Sequence, residues 1–338
     1  MTFIDFSKAF DSIPRSKLPV ILAVYKISPL IILALYTNTK ARVMTPEGIT
    51  MEFLTNLGIL QGDVLAPFIF IVVLDYILRN SVDKDPSLGL TLHKARSRRY
   101  PAIHLSDLDF ADDLAAISDS IVDNTQLCQS IADTAVEFGL LLNMKKTQFM
   151  TFNITDHTNN LPPLPPEDPT RRRIKPHILS GHVFNINQHE IEEVNDFKYL
   201  GSYIRSTLHD ISVRKAQAMA ALHSMDTCWK SNLSRQTKIK LFRATVESVL
   251  LYGCETWTMT SALNYVIDGF YTRLLRKVLR ISWRSHTTNK VLYGNLRKIS
   301  NVIRERRLRF AGHIYRHDDQ PVRAVHHLLF WTPKWTTT

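Results

Sequence analysis

Residues 105–118 read LSDLDFADDLAAIS. Two apolar, strand-like runs flank an acidic pair, Asp112 and Asp113. Runs of this length around a tight polar centre predict a β-hairpin with the pair at its turn. Adjacent carboxylates repel, and each raises the pKa of the other. A cation relieves that repulsion. Hard divalent ions such as Mg²⁺ take oxygen ligands and are commonly held by one or two carboxylates together with substrate phosphates. Taken alone, the pair also reads as a solvated Asp-Asp turn, and the rest of the chain decides between the two.

Four further stretches bear on that choice. Residues 3–13 read FIDFSKAFDSI, with Asp5 late in a short apolar strand (3–6) and Phe10 and Asp11 after it. Residues 58–67 read GILQGDVLAP, residues 139–147 read GLLLNMKKT, and residues 197–201 read FKYLG. In this order and spacing, with FADD at 110–113 between the second and third, the set resembles the palm of a reverse transcriptase. It is similar above all to the enzymes of non-LTR (LINE-type) retrotransposons. Residues 306–319, RRLRFAGHIYRHDD, look like the tail that follows the polymerase in RTE-like elements of that group. The resemblance covers most of the chain. Each motif is weak alone, and the ordered set is hard to obtain by chance.

The resemblance implies an RNA-directed DNA polymerase that transfers a nucleotide from a dNTP to a primer 3′-OH. Phosphoryl transfer needs in-line positioning and compensation of developing negative charge. Two divalent ions, Mg²⁺ or alternatively Mn²⁺, supply both. By match to the family pattern, Asp5, Asp112 and Asp113 are the expected metal ligands, with Asp5 and Asp112 foremost. Asp11 lies in the same motif as Asp5 but reads as a cap or turn carboxylate. Lys146 matches the lysine of an Asn-x-x-Lys-Thr pattern (Asn143, Lys146, Thr147) and is expected near the pyrophosphate as general acid, a role that suits a group protonated at the start. Lys145 is the nearby alternative, and a plain surface lysine is the other reading. Phe10 is expected beneath the incoming sugar, where a ring blocks a 2′-OH, with core packing as its competing role. Gln61 and Gly62 resemble the loop against template and nucleotide: glycine permits close backbone approach, and glutamine can bond a base or sugar. The family's Leu-Ser-Pro after this loop appears here as Leu65-Ala66-Pro67, one hydroxyl fewer. Phe197, Tyr199, Leu200 and Gly201 resemble the motif near the primer end, though ordinary strand packing reads the same.

Composition agrees with a globular, nucleic-acid-binding chain. Of 338 residues 45% are hydrophobic and 22% charged, enough for two or three substructures. Net charge is +11, but residues 271–338 hold 15 Lys+Arg against 3 Asp+Glu, so the remainder is close to neutral. A basic appendage on a neutral body is the pattern of a nucleic-acid contact. Within it Arg304, Arg306, Arg307 and Arg309 are interleaved with Trp283, Phe310 and Tyr315; arginines contact phosphates and aromatics stack on bases. Cys128, Cys228 and Cys254 are too dispersed for a disulfide framework or a zinc site. His313 and His317 are spaced i,i+4 but lack companions for a ligand set. These features fit a reducing, intracellular compartment, with the nucleus as the site of action of an active element. No membrane partner is expected, because the apolar run 18–36 is broken by Lys26, Ser28 and Pro29.

The organisation suggested is α+β. Residues 1–155 read as a palm on a ferredoxin-like split βαβ core. That order brings the end of the first strand beside the tip of the 105–118 hairpin. The palm contains helices meeting at Pro29, a hairpin over 41–53, a long apolar helix over 65–78 and a helix over 120–138. Residues 156–180 read as a Pro-rich, basic linker, with five prolines between 162 and 169. Residues 181–205 read as a strand pair, 206–280 as a helical, thumb-like region, and 281–338 as the basic tail. Met1 lies four residues before Asp5, so a chain truncated at its N-terminus is expected, without the fingers. Fingers and endonuclease regions would then belong to a longer polyprotein. The expected partners are an RNA template, a DNA primer and dNTPs. Two other functions fit the sequence: a catalytically silent nucleic-acid-binding remnant of a decayed element, and a structural or interaction protein using the palm as scaffold.

Overall fold

The computed structural model describes residues 1–152 and 183–316. The expected linker at 156–180 and the end of the basic tail, His317 included, lie outside the described residues. The chain divides into two compact units, Met1–Asn195 and Asp196–Thr338.

The first unit is built on a six-stranded sheet. Its central strand is β1 (Thr2–Ile4), whose three residues are all buried. A short β2 (Phe6–Ser7) follows. The chain then forms α1 (Leu18–Val24), α2 (Pro29–Tyr36) and α3 (Ala66–Ser81). Next come the hairpin strands β3 (Asp107–Phe110) and β4 (Asp113–Ala116), then α4 (Ile121–Glu137). Short strands β5 (Leu141–Leu142) and β6 (Gln148–Phe149), and the hairpin β7 (Phe184–Ile186) and β8 (His189–Glu193), complete the unit. The sheet order is β7-β8-β6-β1-β4-β3. Along β6, β1, β4 and β3 each strand is antiparallel to its neighbour, and β8 joins β6 in parallel. With helices between β1 and β3 and α4 between β4 and β6, this is the split βαβ order that the sequence suggests.

Helix α4 starts where Ser120 accepts a bond from Asp123 N at 3.1 Å, an N-cap. Its buried face (Leu127, Cys128, Ile131, Ala132, Ala135) packs with the buried face of α3 (Ile69, Phe70, Val73, Leu74, Ile77) in one core. Two peripheral hairpins lie outside the sheet. One pairs Lys40–Ala41 with Phe53–Leu54 and turns between Met44–Thr45 and Gly48–Ile49, close to the turn expected. The other pairs Leu90–His93 with Ile103–Leu105, with Lys94, Arg96, Arg98 and Arg99 between its strands.

The segment 181–205 carries two hairpins rather than one strand pair, and the division between units falls within it. Phe184, Ile186 and Ile191 of β7–β8 bury into the first core, with Phe184 stacked on Phe149 at 5.0 Å. Strands β9 (Lys198–Tyr199) and β10 (Ser202–Tyr203) belong to the second unit. That unit is otherwise helical: α5 (Thr207–Ser224), α6 (Arg235–Phe242) running into a π-helical turn at Arg243–Glu247, α7 (Ser261–Val278) and α8 (Ile299–Arg316). Trp229, Phe242, Trp257, Tyr271 and Leu274 lie in its core. No described helix is long and apolar enough to cross a membrane.

Asp107 opens the edge strand β3 half-buried. Burial first, then the charges of Asp109, Asp83 and Asp75, push its pKa up to about 6. A folded-state pKa above the unfolded one means that the folded chain binds the extra proton. Stability is then fullest below the unfolded pKa and is lost as pH rises from about 4 through about 6. Allowing for solvent screening, the cost at neutral pH is about 1–2 kcal/mol. Asp107→Asn should remove that slope. Urea-unfolding midpoints should show the variant gaining on the parent at pH about 7.5 and matching it near pH 4.

Candidate active site

Hairpin β3–β4 closes with Phe110 opposite Asp113, leaving Ala111 and Asp112 as its two-residue turn. Ala111 takes φ 57°, the left-handed conformation that such turns demand. Asp112 therefore sits in the turn and Asp113 at the head of β4. Strand β1 pairs Ile4 with Leu114 in the antiparallel sense. The strand ends there, so Asp5 is the next residue beyond the ladder, at the end where Asp113 heads β4, and its charge reaches the Asp113 carboxyl. Partial burial, then the charges of Asp112 and Asp5, hold the Asp113 carboxyl above the usual carboxylate range. The topology thus brings Asp5 to an adjacent pair of carboxylates about a hundred residues further along the chain.

Asp5 occupies the break between β1 and β2, and the 143–147 turn wraps it. Its carbonyl accepts from Asn143 N at 2.7 Å, and its amide donates to the buried hydroxyl of Thr147 at 3.4 Å. Thr147 N and Lys146 N both return to Asn143 O, closing the turn. The turn delivers Lys146 Nζ to 3.5 Å from Asp5 Oδ2. That oxygen is buried and makes no hydrogen bond, so the lysine charge is its neighbour. Asn143, Lys146 and Thr147 of the Asn-x-x-Lys-Thr pattern thus meet Asp5 through one turn.

The 58–67 stretch packs onto the first motif. Ile59 N donates to Phe10 O at 2.7 Å, and Gly58 N to Ile13 O at 2.9 Å. Gln61 Nε2 lies 3.4 Å from Asp11 Oδ1, so Asp11 faces the glutamine. Gly62 takes φ 93° with open space where a Cβ would stand. The Phe10 ring is half-buried, stacked on Phe70 of α3 at 4.6 Å and 19°. Ala66, standing where the family has serine, begins α3 fully buried.

A residue that the sequence reading passed over holds this packing in place. Arg15 donates from Nε to Gly58 O at 2.8 Å and from Nη1 to Thr55 O at 2.7 Å and Tyr36 O at 3.1 Å. Its guanidinium also lies over the Tyr36 ring at 5.0 Å. A lone arginine after a proline carries no signal of that role.

In the second unit, β9–β10 closes on Leu200 and Gly201, both at positive φ (47° and 86°). Phe197 and Tyr199 flank that turn. On α8, Arg304 and Arg307 are exposed. Arg306 instead faces Glu255 at 3.8 Å, and Arg309 is bonded to Glu305 at 2.9 Å. Counting charges did not reveal that these two have carboxylate partners.

The donor set suits a divalent cation. It is all oxygen, it is acidic, and it includes a buried oxygen without a hydrogen bond and a carboxyl pushed up by partial burial and then by its neighbours' charges. Among the described residues no group of three or more candidate ligands is arranged to hold a metal ion by itself. An ion that takes its remaining ligands from substrate phosphate and water fits such an open set.

A family model described as reverse transcriptase (RNA-dependent DNA polymerase) matches residues 1–204. Among curated proteins, a transposon-derived protein of Caenorhabditis elegans is 24% identical over 64% of this chain and 74% of its own. Two retrovirus-related Pol polyproteins from the type-1 retrotransposable element R2 of Popillia japonica are each 25% identical over 87% of this chain. The chain spans 44% and 38% of those two polyproteins.

Gly58 is where the two motifs touch most closely. It has φ 80°, and a Cβ there would stand 2.7 Å from Asp11 Cα. Gly58→Ala should therefore cost about 2–4 kcal/mol through backbone strain and overpacking combined. Gly62→Ala meets strain alone and should cost about 1 kcal/mol. Denaturant unfolding of both variants checks the ranking.

Proposed function

Since the chain belongs to the family of reverse transcriptases (RNA-dependent DNA polymerases), we propose that it is the palm and following region of a non-LTR retrotransposon polymerase. In this reading it joins the α-phosphorus of a dNTP to a primer 3′-oxygen on an RNA template, and pyrophosphate leaves. The nearness of Asp5, just past the end of β1, to Asp113 at the head of β4, with Lys146 Nζ 3.5 Å from Asp5, carries the proposal. The names of the Popillia japonica relatives support the retrotransposon origin.

Asp5, Asp112 and Asp113 are the residues that would hold divalent metal, two Mg²⁺ or alternatively Mn²⁺. Ions there supply charge neutralisation at the transferring phosphoryl group. Lys146 delivers a proton to the departing pyrophosphate from Nζ. The Phe10 ring, held from below by Phe70, limits the space beside the sugar and excludes a 2′-OH. Gln61, steadied by Asp11, and Gly62 form the loop that meets nucleotide and template. The hairpin holding Phe197, Tyr199, Leu200 and Gly201 contacts the primer. Arg304 and Arg307, with Arg306 and Arg309 beside them, contact nucleic-acid phosphates.

The working division is a palm over 1–155, a linker over 156–180, a primer-contacting segment over 181–205, a thumb-like region over 206–280 and a basic tail over 281–338.

Primer extension on an RNA template with dNTPs and Mg²⁺ tests the reading. Asp5→Asn and Asp112→Asn should each lower extension by about 10³-fold or more while leaving primer–template binding intact. Lys146→Ala should lower it by about 10²-fold. Extension that survives both aspartate substitutions would sink the assignment. Binding without extension by the parent chain would favour a nucleic-acid-binding remnant.

A further inference from the structure

The β9–β10 turn is strained. Leu200, a γ-branched residue, takes φ 47°, and Gly201 follows at 86°. Two-residue hairpin turns with both centres at positive φ favour Asn-Gly or Gly-Gly, and leucine at the first position is costly. A two-stranded hairpin of this length has little stability of its own. Something outside the hairpin must hold it.

Both turn carbonyls are held from outside the hairpin. Tyr252 Oη donates to Leu200 O at 2.9 Å, and Arg214 Nη2 donates to Gly201 O at 2.5 Å. The two donors brace each other, with the Arg214 guanidinium over the Tyr252 ring at 4.4 Å. The ring lies so close to Gly201 that a Cβ there would meet it at 3.0 Å.

Behind the clamp stands a buried carboxylate. Asp210, 1% exposed, accepts from Trp257 Nε1 at 2.7 Å and from Tyr203 N at 3.3 Å, and lies 3.8 Å from Arg214 Nε. Asp210 and Arg214 are one helical turn apart on α5, so both are fixed by the helix. Arg214 also donates from Nη1 to Gln217 Oε1 at 3.1 Å, so its one bond to the hairpin is the one to the strained turn. Burying an ion pair is costly, and a buried pair that sends such a bond points to a positional role for it. Arg214, Tyr252 and Trp257 all lie beyond the residues that the family model covers.

We propose that Arg214 and Tyr252, seated on Asp210 and Trp257, are positioning residues that fix the Leu200–Gly201 turn for contact with a nucleic-acid primer strand. The inference rests on the reading of 197–201 as the primer-contacting segment. The clamp touches no reacting atom; it acts through the turn.

The test uses Tyr252→Phe, which deletes one hydrogen bond and keeps the ring under the guanidinium. It is compared with Tyr199→Ala in the primer-contacting segment, and with Tyr265→Phe, an exposed tyrosine of α7, as control. Two quantities are read on the full chain. One is hydrogen exchange over 196–205; the other is affinity for an RNA template with and without an annealed DNA primer. Tyr252→Phe should speed exchange over the hairpin and weaken primer–template binding about tenfold, with binding of unprimed template and the thermal midpoint unchanged. Tyr265→Phe should change none of these.

Unchanged exchange in Tyr252→Phe would overturn the clamp itself. Faster exchange with unchanged primer–template affinity, while Tyr199→Ala weakens it, would overturn the positioning role. If Tyr199→Ala and Tyr252→Phe both leave affinity unchanged, the primer reading of 197–201 falls, and the inference falls with it. Arg214→Gln leaves Asp210 buried without its partner and is read only if its unfolding midpoint matches the parent.

Discussion

Three carboxylates are brought together where one strand start, one turn and one strand break coincide, and that concentration of negative charge is the constraint around which the first unit is organised. Left to itself it opposes folding, because partial burial first, and then the charges of Asp112 and Asp5, make ionisation of Asp113 harder. The fold does not relieve the conflict by burying it among apolar side chains. It stops β1 at Ile4, so that Asp5 escapes the ladder. It then satisfies the Asp5 backbone from the 143–147 turn, leaving the carboxylate oxygen to a lysine. The arrangement keeps the charges together at the expense of local regularity, and such irregularity is expected where function competes with stability.

The scaffold that tolerates this is a conventional one. The hydrophobic faces of α3 and α4 cover the sheet, and the buried strand β1 is paired on both sides. The three site carboxylates occupy a strand break, a turn and the first position of a strand. This separation explains why repelling carboxylates can sit on a sheet whose interior is mainly apolar (Phe3, Ile4, Leu114, Ala115, Phe149), with Thr2 as a buried hydroxyl.

Much of this was legible in the sequence, for local reasons. The β3–β4 hairpin follows from alternation around a polar centre, and α3 and α4 follow from apolar periodicity. That Asp5 lies beside Asp112 and Asp113 was legible only through the ordered motifs, because no local pattern encodes a contact across a hundred residues. What stayed hidden shares one physical character. The 90–105 hairpin is masked by a run of basic residues between its strands. The partners of Arg306 and Arg309 depend on where Glu255 and Glu305 fall after folding. Arg15 has no pattern at all, because its acceptors are backbone carbonyls, which every residue type possesses equally.

That last point reaches beyond one arginine. Each motif read from the chain ends in a turn or break: the Asp5 gap, the Gly58 contact, the Leu200–Gly201 turn. Each is held by side chains reaching backbone atoms from outside the motif or from another motif: Thr147 to the Asp5 amide, Arg15 to Gly58, Tyr252 and Arg214 to the two turn carbonyls. A side chain that binds backbone constrains geometry without constraining the identity of what it binds. The motif residues are therefore free to be chosen for chemistry, while their placement is delegated to residues whose own sequence context is unremarkable. Motif recognition alone recovers the chemical groups and misses the groups that aim them. Tracing the side chains that reach the backbone of these turns and breaks recovers the second set, and here it consists of arginines and hydroxyl-bearing side chains: Arg15, Arg214 and Tyr252 donate to carbonyls, and Thr147 accepts from an amide.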